Sequence, residues 1–146
     1  MARSALLAAA LCISLLTSAG CTTTTPLTPK ARARLLALLP ADVLLLGEQH
    51  DAPDHQQLQR QTVQWLADQG RLAAVAMEMA ERGHSTAGLA PSASESTVRA
   101  ALAWDNAGWP WKTYGPVVMT AVRAGVPVLG ANLPMRHLRG AMADAS

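Results

Sequence analysis

The sequence predicts an α/β fold: a parallel β-sheet with flanking helices in the order βαβαβα. Three observations carry this reading. Three apolar runs, "DVLLLG" (42–47), "LAAVAMEM" (72–79) and "VPVLGAN" (126–132), stay apolar almost to their ends, as strands covered on both faces do. Helical patterns alternate with them, which is the signature of a parallel sheet with helical crossovers. The connections are short, as in the turn Asp68 to Arg71.

The elements follow in order. "ARARLLALLP" (31–40) reads as a short basic and apolar helix. "DVLLLG" is the first buried strand. "APDHQQLQRQTVQWLADQG" (52–70) has Pro53 in its first turn and Gly70 just past its end, the usual asymmetry of a helix. Leu58, Thr62, Trp65 and Leu66 form one face of it, with Asp51 placed to cap it and Asp54 and His55 in its first turn. "LAAVAMEM" is the second strand, and the polar stretch 81–96, with His84 at the surface, is a loop. Residues 96–104 are a weak helix, "AGWPWKTYG" (107–115) an aromatic loop, and Pro116 to Ala124 a helix stopped by Gly125. "VPVLGAN" is the third strand, and "PMRHLRGAMA" (134–143) starts a helix. Met77, Met79 and Met119 are expected to fill the core.

The first 30 residues are set apart. Residues 1–20 carry one positive charge, Arg3, then an apolar run too short to span a bilayer, ending in small residues. They read as a secretory signal peptide. The junction "SAGC" resembles a bacterial lipobox, with Ser18 where leucine is usual, so Cys21 is the expected lipidation site. Thr22 after it favours an outer-membrane anchor facing the periplasm over retention at the inner membrane. Residues 21–30, threonine- and proline-rich, read as a tether. A folded domain of residues 31–146 remains, enough for one modest core.

Charge and cysteines exclude several classes. The chain carries a formal charge of +2, falling to about +1 without Arg3. There is no basic stripe interleaved with aromatics, so no nucleic-acid partner is expected. Of the two cysteines, Cys12 lies in the signal and Cys21 at its boundary, so the mature domain has neither a disulfide framework nor a thiolate metal site.

In an open parallel sheet ligands bind beyond the carboxyl ends of the strands. There the sequence places Glu48 and His50, then Glu78 with Glu81 and Arg82, then Asn132 with Arg136 and His137. Glu48 and His50, two apart, project to one side if the chain is still extended. A buried carboxylate is costly unless paired, so the three ends are expected to share one crevice. A hydrogen-bonded structural pair remains the plainer account of Glu48 and His50.

The stretches "LLLGEQHDAPDHQQLQ" (44–59), "VAMEM" (75–79), "WPWKTYGPVV" (109–118) and "VPVLGANLP" (126–134) together resemble the ChaN family of haem-binding, iron-regulated lipoproteins in the Tiki superfamily. The resemblance spans nearly the whole domain. It implies haem bound at the carboxyl edge of the sheet, homodimers that enclose haem, and a role in haem or iron uptake. It also implies a tyrosine ligand to the iron, with a histidine from the partner subunit. The sole tyrosine is Tyr114, whose phenolate would suit ferric iron. The plainer role for Tyr114 is a half-buried ring with its hydroxyl on a backbone group. The assisting histidine is expected at His50, with His55 second, and Trp109 and Trp111 could stack on a porphyrin. Family members are longer, so the chain is expected to be an incomplete half of a larger three-layer domain, or a fragment without function. "Gly47-Glu48-Gln49-His50" also matches the GxxH signature of Tiki-type metal-dependent proteases and is close to an element of erythromycin esterases. A hydrolase would use His50 as base or metal ligand beside Glu48 and Glu78.

Overall fold

The computed structural model describes residues 25–134 together with His137 and Gly140. The signal segment, Cys21, Arg136 and most of the final helical pattern lie outside these residues. The elements are α1 (Pro29–Leu36), α2 (Pro53–Asp68), β1 (Val75–Glu81), α3 (Glu95–Ala101), α4 (Trp111–Arg123) and β2 (Val128–Asn132). The fold is α/β, built on two parallel strands.

The parallel pair aligns Val75 with Val128, Ala76 with Leu129 and Met77 with Gly130, then shifts before Glu81 meets Asn132. Gly130 explains the shift. A Cβ there would collide with the Glu81 carbonyl, so only glycine lets the strands approach this closely. The outer edge of β2 is not left bare. After β1 the chain folds back so that Ser85 bridges Leu129 in antiparallel sense. His84 O accepts from Gly130 N–H at 3.0 Å and Thr86 N–H donates to Val128 O at 2.9 Å. Thr86 Oγ1 accepts from Val128 N–H at 2.8 Å. Such a strap satisfies edge groups that would otherwise template foreign strands. The stretch expected to be a plain loop thus does the work of a third strand.

One face of the sheet carries the core. Met77, Met79 and Val128 point into it, and Val63 of α2, Val98 and Leu102 of α3 with its flank, and Val117, Val118, Ala121 and Val122 of α4 close over it. Met119 is buried too, as expected of the three methionines. The other face, with Ala76, Glu78, Leu129 and Ala131, is open to solvent. Helices on both faces were expected, and among the described residues only one face is covered.

The expected first strand does not form. Residues 43–47 take no regular secondary structure and make no ladder hydrogen bonds; Gln59 Nε2 donates to Leu46 O at 3.3 Å. Leu44 alone turns inward, to a small cluster with Leu27, Leu35 and Leu66, while Leu45 is 88% exposed. An apolar run states that burial is favourable but names no partner, and β2's outer edge is taken by Ser85.

The flanks differ in detail. Leu27 is 4% exposed, so the fold begins inside the stretch expected to be a free tether. Thr28 caps α1, its Oγ1 accepting from Ala31 N–H at 3.2 Å. Ala52 precedes helix α2 at the cap position and supplies no side-chain hydrogen bond, so Asp51 does not have the capping role expected of it. Its buried residues are Gln56, Thr62, Val63 and Leu66, whereas Leu58 faces solvent. Gly70, at φ 62°, supplies the left-handed turn that ends α2. Helix α4 takes in most of the expected aromatic loop, because Asn106 Oδ1 accepts from Trp111 N–H at 3.0 Å and holds the start of the helix before Pro116.

Candidate functional site

A helix connecting parallel strands runs antiparallel to them, so the N-terminus of α4 lies at the carboxyl edge of the sheet. The contacts of Glu48 with Gln56 and of His50 with Tyr114 bring the first turn of α2 beside it. The segment Gly47 to Ala52 delivers Glu48 and His50 there, beside the first turns of both helices. His55 Nδ1 accepts from Gln49 N–H at 2.9 Å and fixes that segment against α2.

Glu48 is the hub. Its side chain is 5% exposed, and its Oε1 lies 2.8 Å from His50 Nδ1. Its Oε2 accepts from Gln56 Nε2 at 3.2 Å, and the same amide reaches Gln49 O at 3.4 Å. The Tyr114 hydroxyl is hydrogen-bonded to it as well. A carboxylate has only acceptors, so the short contact to His50 places an N–H on Nδ1. The neutral ring is then left with its lone pair on Nε2, on a side chain that is 50% exposed.

Tyr114 is 2% exposed, inside the aromatic wall. Burial, first of all, and then the hydrogen bond to Glu48 and the charges of Glu48 and Glu78 push its phenol up to about 12. The hydroxyl comes within 3.4 Å of His50 Nδ1. That nitrogen, already a donor to Glu48, cannot also accept, so the Tyr114 proton belongs to the carboxylate.

Trp109 closes the wall on both groups. Its ring stands edge-on to His50 at 5.0 Å and to Tyr114 at 5.8 Å. Trp104 Nε1 donates to Trp109 O at 2.8 Å and pins this loop. Trp111 has a different fate. It is buried over Gly115, its Nε1 donates to Glu95 Oε2 at 2.9 Å, and Arg99 lies 5.8 Å from its ring centre. It is a packing residue with no face free to stack on a ligand.

The other expected site residues part company with this cluster. Glu78 acts on Tyr114 through its charge, from the open face of the sheet. Asn132 O accepts from Arg82 N–H at 2.8 Å, and the Asn132 side chain makes no hydrogen bond to Glu48, His50 or Tyr114. His55 holds the loop with Nδ1, so its proton sits on Nε2 and neither nitrogen offers a free lone pair. Glu48, His50 and Glu78 do not gather into a metal-holding set, and no group of three or more His, Cys, Asp or Glu does so among the described residues. The metal-ligand form of the hydrolase reading therefore gains nothing from this geometry, while the Glu48-backed imidazole of His50 is compatible with a base. Gln56 was not foreseen, because a glutamine in a run of glutamines reads as solvated surface.

The cluster lies on an open edge. One cavity of about 150 Å³ is lined by Thr86, Gly88, Val122 and Pro127, another of about 140 Å³ by Leu27, Arg32, Trp65 and Asp68; neither includes Glu48, His50 or Tyr114. No helix among the described residues is long and apolar enough to cross a membrane.

Comparison with curated proteins and with solved structures gave no match. Residues 35–145 match the family model described as haem-binding uptake, Tiki superfamily, ChaN, which takes in the Glu48 hub, the aromatic wall and both strands. On that span, the chain belongs to the ChaN family of the Tiki superfamily.

Proposed function

We propose that this chain binds haem at the carboxyl edge of its sheet, with His50 Nε2 as the nitrogen that meets the iron. One observation carries the reading: a half-exposed imidazole, backed by a buried carboxylate on Nδ1 and flanked by the edge of Trp109, leaves one basic nitrogen facing outward. Carboxylate–histidine pairs of this kind are what orient metal-ligating imidazoles. The residues therefore fit a haem, which His50 would hold through Nε2 and which would supply a Lewis-acidic ferric iron. Trp109 offers an aromatic edge to the macrocycle. Tyr114 lies beneath, 2% exposed and behind the half-exposed imidazole, so His50 and not the phenol is the group within reach at the surface.

An open edge leaves one side of a flat ligand uncovered. A second copy of the chain covers it in this reading, forming a homodimer around haem. The protein serves haem or iron uptake at the bacterial envelope, held at the outer membrane by lipid on Cys21. The support for anchor and location is the signal-like segment of residues 1–20 and the junction before Cys21.

The test is a hemin titration of the full-length, detergent-solubilised chain, followed by visible absorption. A saturable Soret shift lost in His50→Ala and kept in Tyr114→Phe supports the reading. Loss in Tyr114→Phe alone would return the iron to the tyrosine. No saturable shift in folded wild type removes haem binding.

A further inference from the structure

Gln56 is a buried polar residue that the core does not need. It is 5% exposed in the first turns of α2, and Thr62, Val63 and Leu66 bury the same helix without it. Its amide nitrogen reaches two acceptors, Glu48 Oε2 at 3.2 Å and Gln49 O at 3.4 Å. That fixes which way the amide points, since the flipped amide would set oxygen against both. The consequence is unfavourable: Gln56 Oε1 is buried with no hydrogen-bond partner. Buried polar atoms are normally satisfied, and an apolar side chain of this length would avoid the cost.

What the Gln56 amide nitrogen secures, at the cost of that orphaned oxygen, is the orientation of Glu48. One carboxylate oxygen is held by Gln56, which turns the other toward His50 Nδ1. We infer, resting on the haem-binding reading for its functional meaning, that Gln56 is a positioning residue. It locks Glu48 so that His50 keeps its proton on Nδ1 and presents a bare Nε2 to the ligand. The relay runs Gln56, Glu48, His50, and no member but His50 touches the ligand. Metal sites commonly depend on such outer partners, and removing one usually weakens binding about 10- to 100-fold.

The test compares wild type with Gln56→Met, which keeps length and removes both amide atoms. Nitrogen NMR of the imidazole in the ligand-free, full-length protein reads the tautomer. Hemin titration reads affinity, and thermal melting reads stability. The expected results are an Nδ1–H tautomer in wild type and a mixture in Gln56→Met. Hemin affinity falls about 10- to 100-fold while the melting temperature stays level or rises. A residue with a merely structural role would lower the melting temperature and leave the tautomer alone. An Nε2–H tautomer in wild type overturns the inference, as does a Gln56→Met variant with unchanged tautomer and affinity. If wild type binds no hemin, the haem reading fails, and the tautomer measurement still decides whether Gln56 sets the imidazole.

Discussion

Glu48 Oε1 stands 2.8 Å from His50 Nδ1, yet Glu48 is almost wholly shielded from water and His50 is half out in it. The pair spans the protein boundary. The buried member fixes the proton of the exposed one. A carboxylate so shielded is stable only with its lone pairs met, and here an imidazole, an amide and a phenol meet them.

The charge of Glu48 is therefore testable apart from its shape. Glu48→Gln keeps the outline and removes the charge. Burial is the largest force raising the Tyr114 pKa and stays in place, but two of the others come from Glu48, so the pKa falls only part of the way. The His50 tautomer loses its anchor, and hemin affinity drops about 10- to 100-fold. A variant that binds hemin like wild type would show that the carboxylate does not orient the ligand nitrogen.

Tyr114 is the sole tyrosine, so phenolate absorbance reports on it alone. Burial above all, with Glu48 and Glu78, pushes its pKa up from the ordinary 10.0 to about 12. The folded state holds the proton more tightly than the unfolded chain, so this contribution to stability is complete below pH 10 and is lost as pH rises to about 12. Spectrophotometric titration of folded protein is expected to centre near 12, and in denaturant near 10. Coincident curves would mean that the phenol is neither buried nor held by Glu48.

Gly115 lies beneath the Trp111 indole. A Cβ there would sit 2.6 Å from two ring atoms and 2.9 Å from a third. Alanine normally stabilises a helix interior by up to about 1 kcal/mol over glycine. Here the indole is tied to Glu95 and cannot swing away, so overpacking dominates and Gly115→Ala costs about 1–3 kcal/mol. Chemical denaturation measures it. A stabilised variant would show that Trp111 is free to move.

How much of this was legible depends on whether a residue's neighbours lie close in sequence. The strands 75–79 and 128–132, Gly70 and the methionine core follow from local pattern, and so does the placing of Glu48 and His50 at a strand-like end. The start of α4 was hidden because Asn106 caps it from before Pro110, outside the usual cap offset. Gln56 was hidden because its burial depends on Glu48, which arrives from another segment. Trp109 and Trp111 look alike in sequence and are separated only by Glu95, Arg99 and Gly115 around the second.

The run Val43 to Leu46 gives the sharpest contrast between pattern and packing. All four residues read as strand core, but only Leu44 turns into the cluster with Leu35 and Leu66. Leu45→Lys is therefore expected to leave stability within about 0.5 kcal/mol of wild type, as exposed positions usually do. Leu44→Ala, removing a partly buried side chain, is expected to cost about 1–2 kcal/mol, below the range for a full core leucine. Denaturant melts of the two variants at low protein concentration, where association is suppressed, decide between the readings. If Leu45→Lys proves as damaging as Leu44→Ala, the run is a buried strand in solution and the sheet has three members. If it is silent at low concentration and destabilising only at high concentration, Leu45 is covered by a second copy, and the dimer proposed around haem gains a contact.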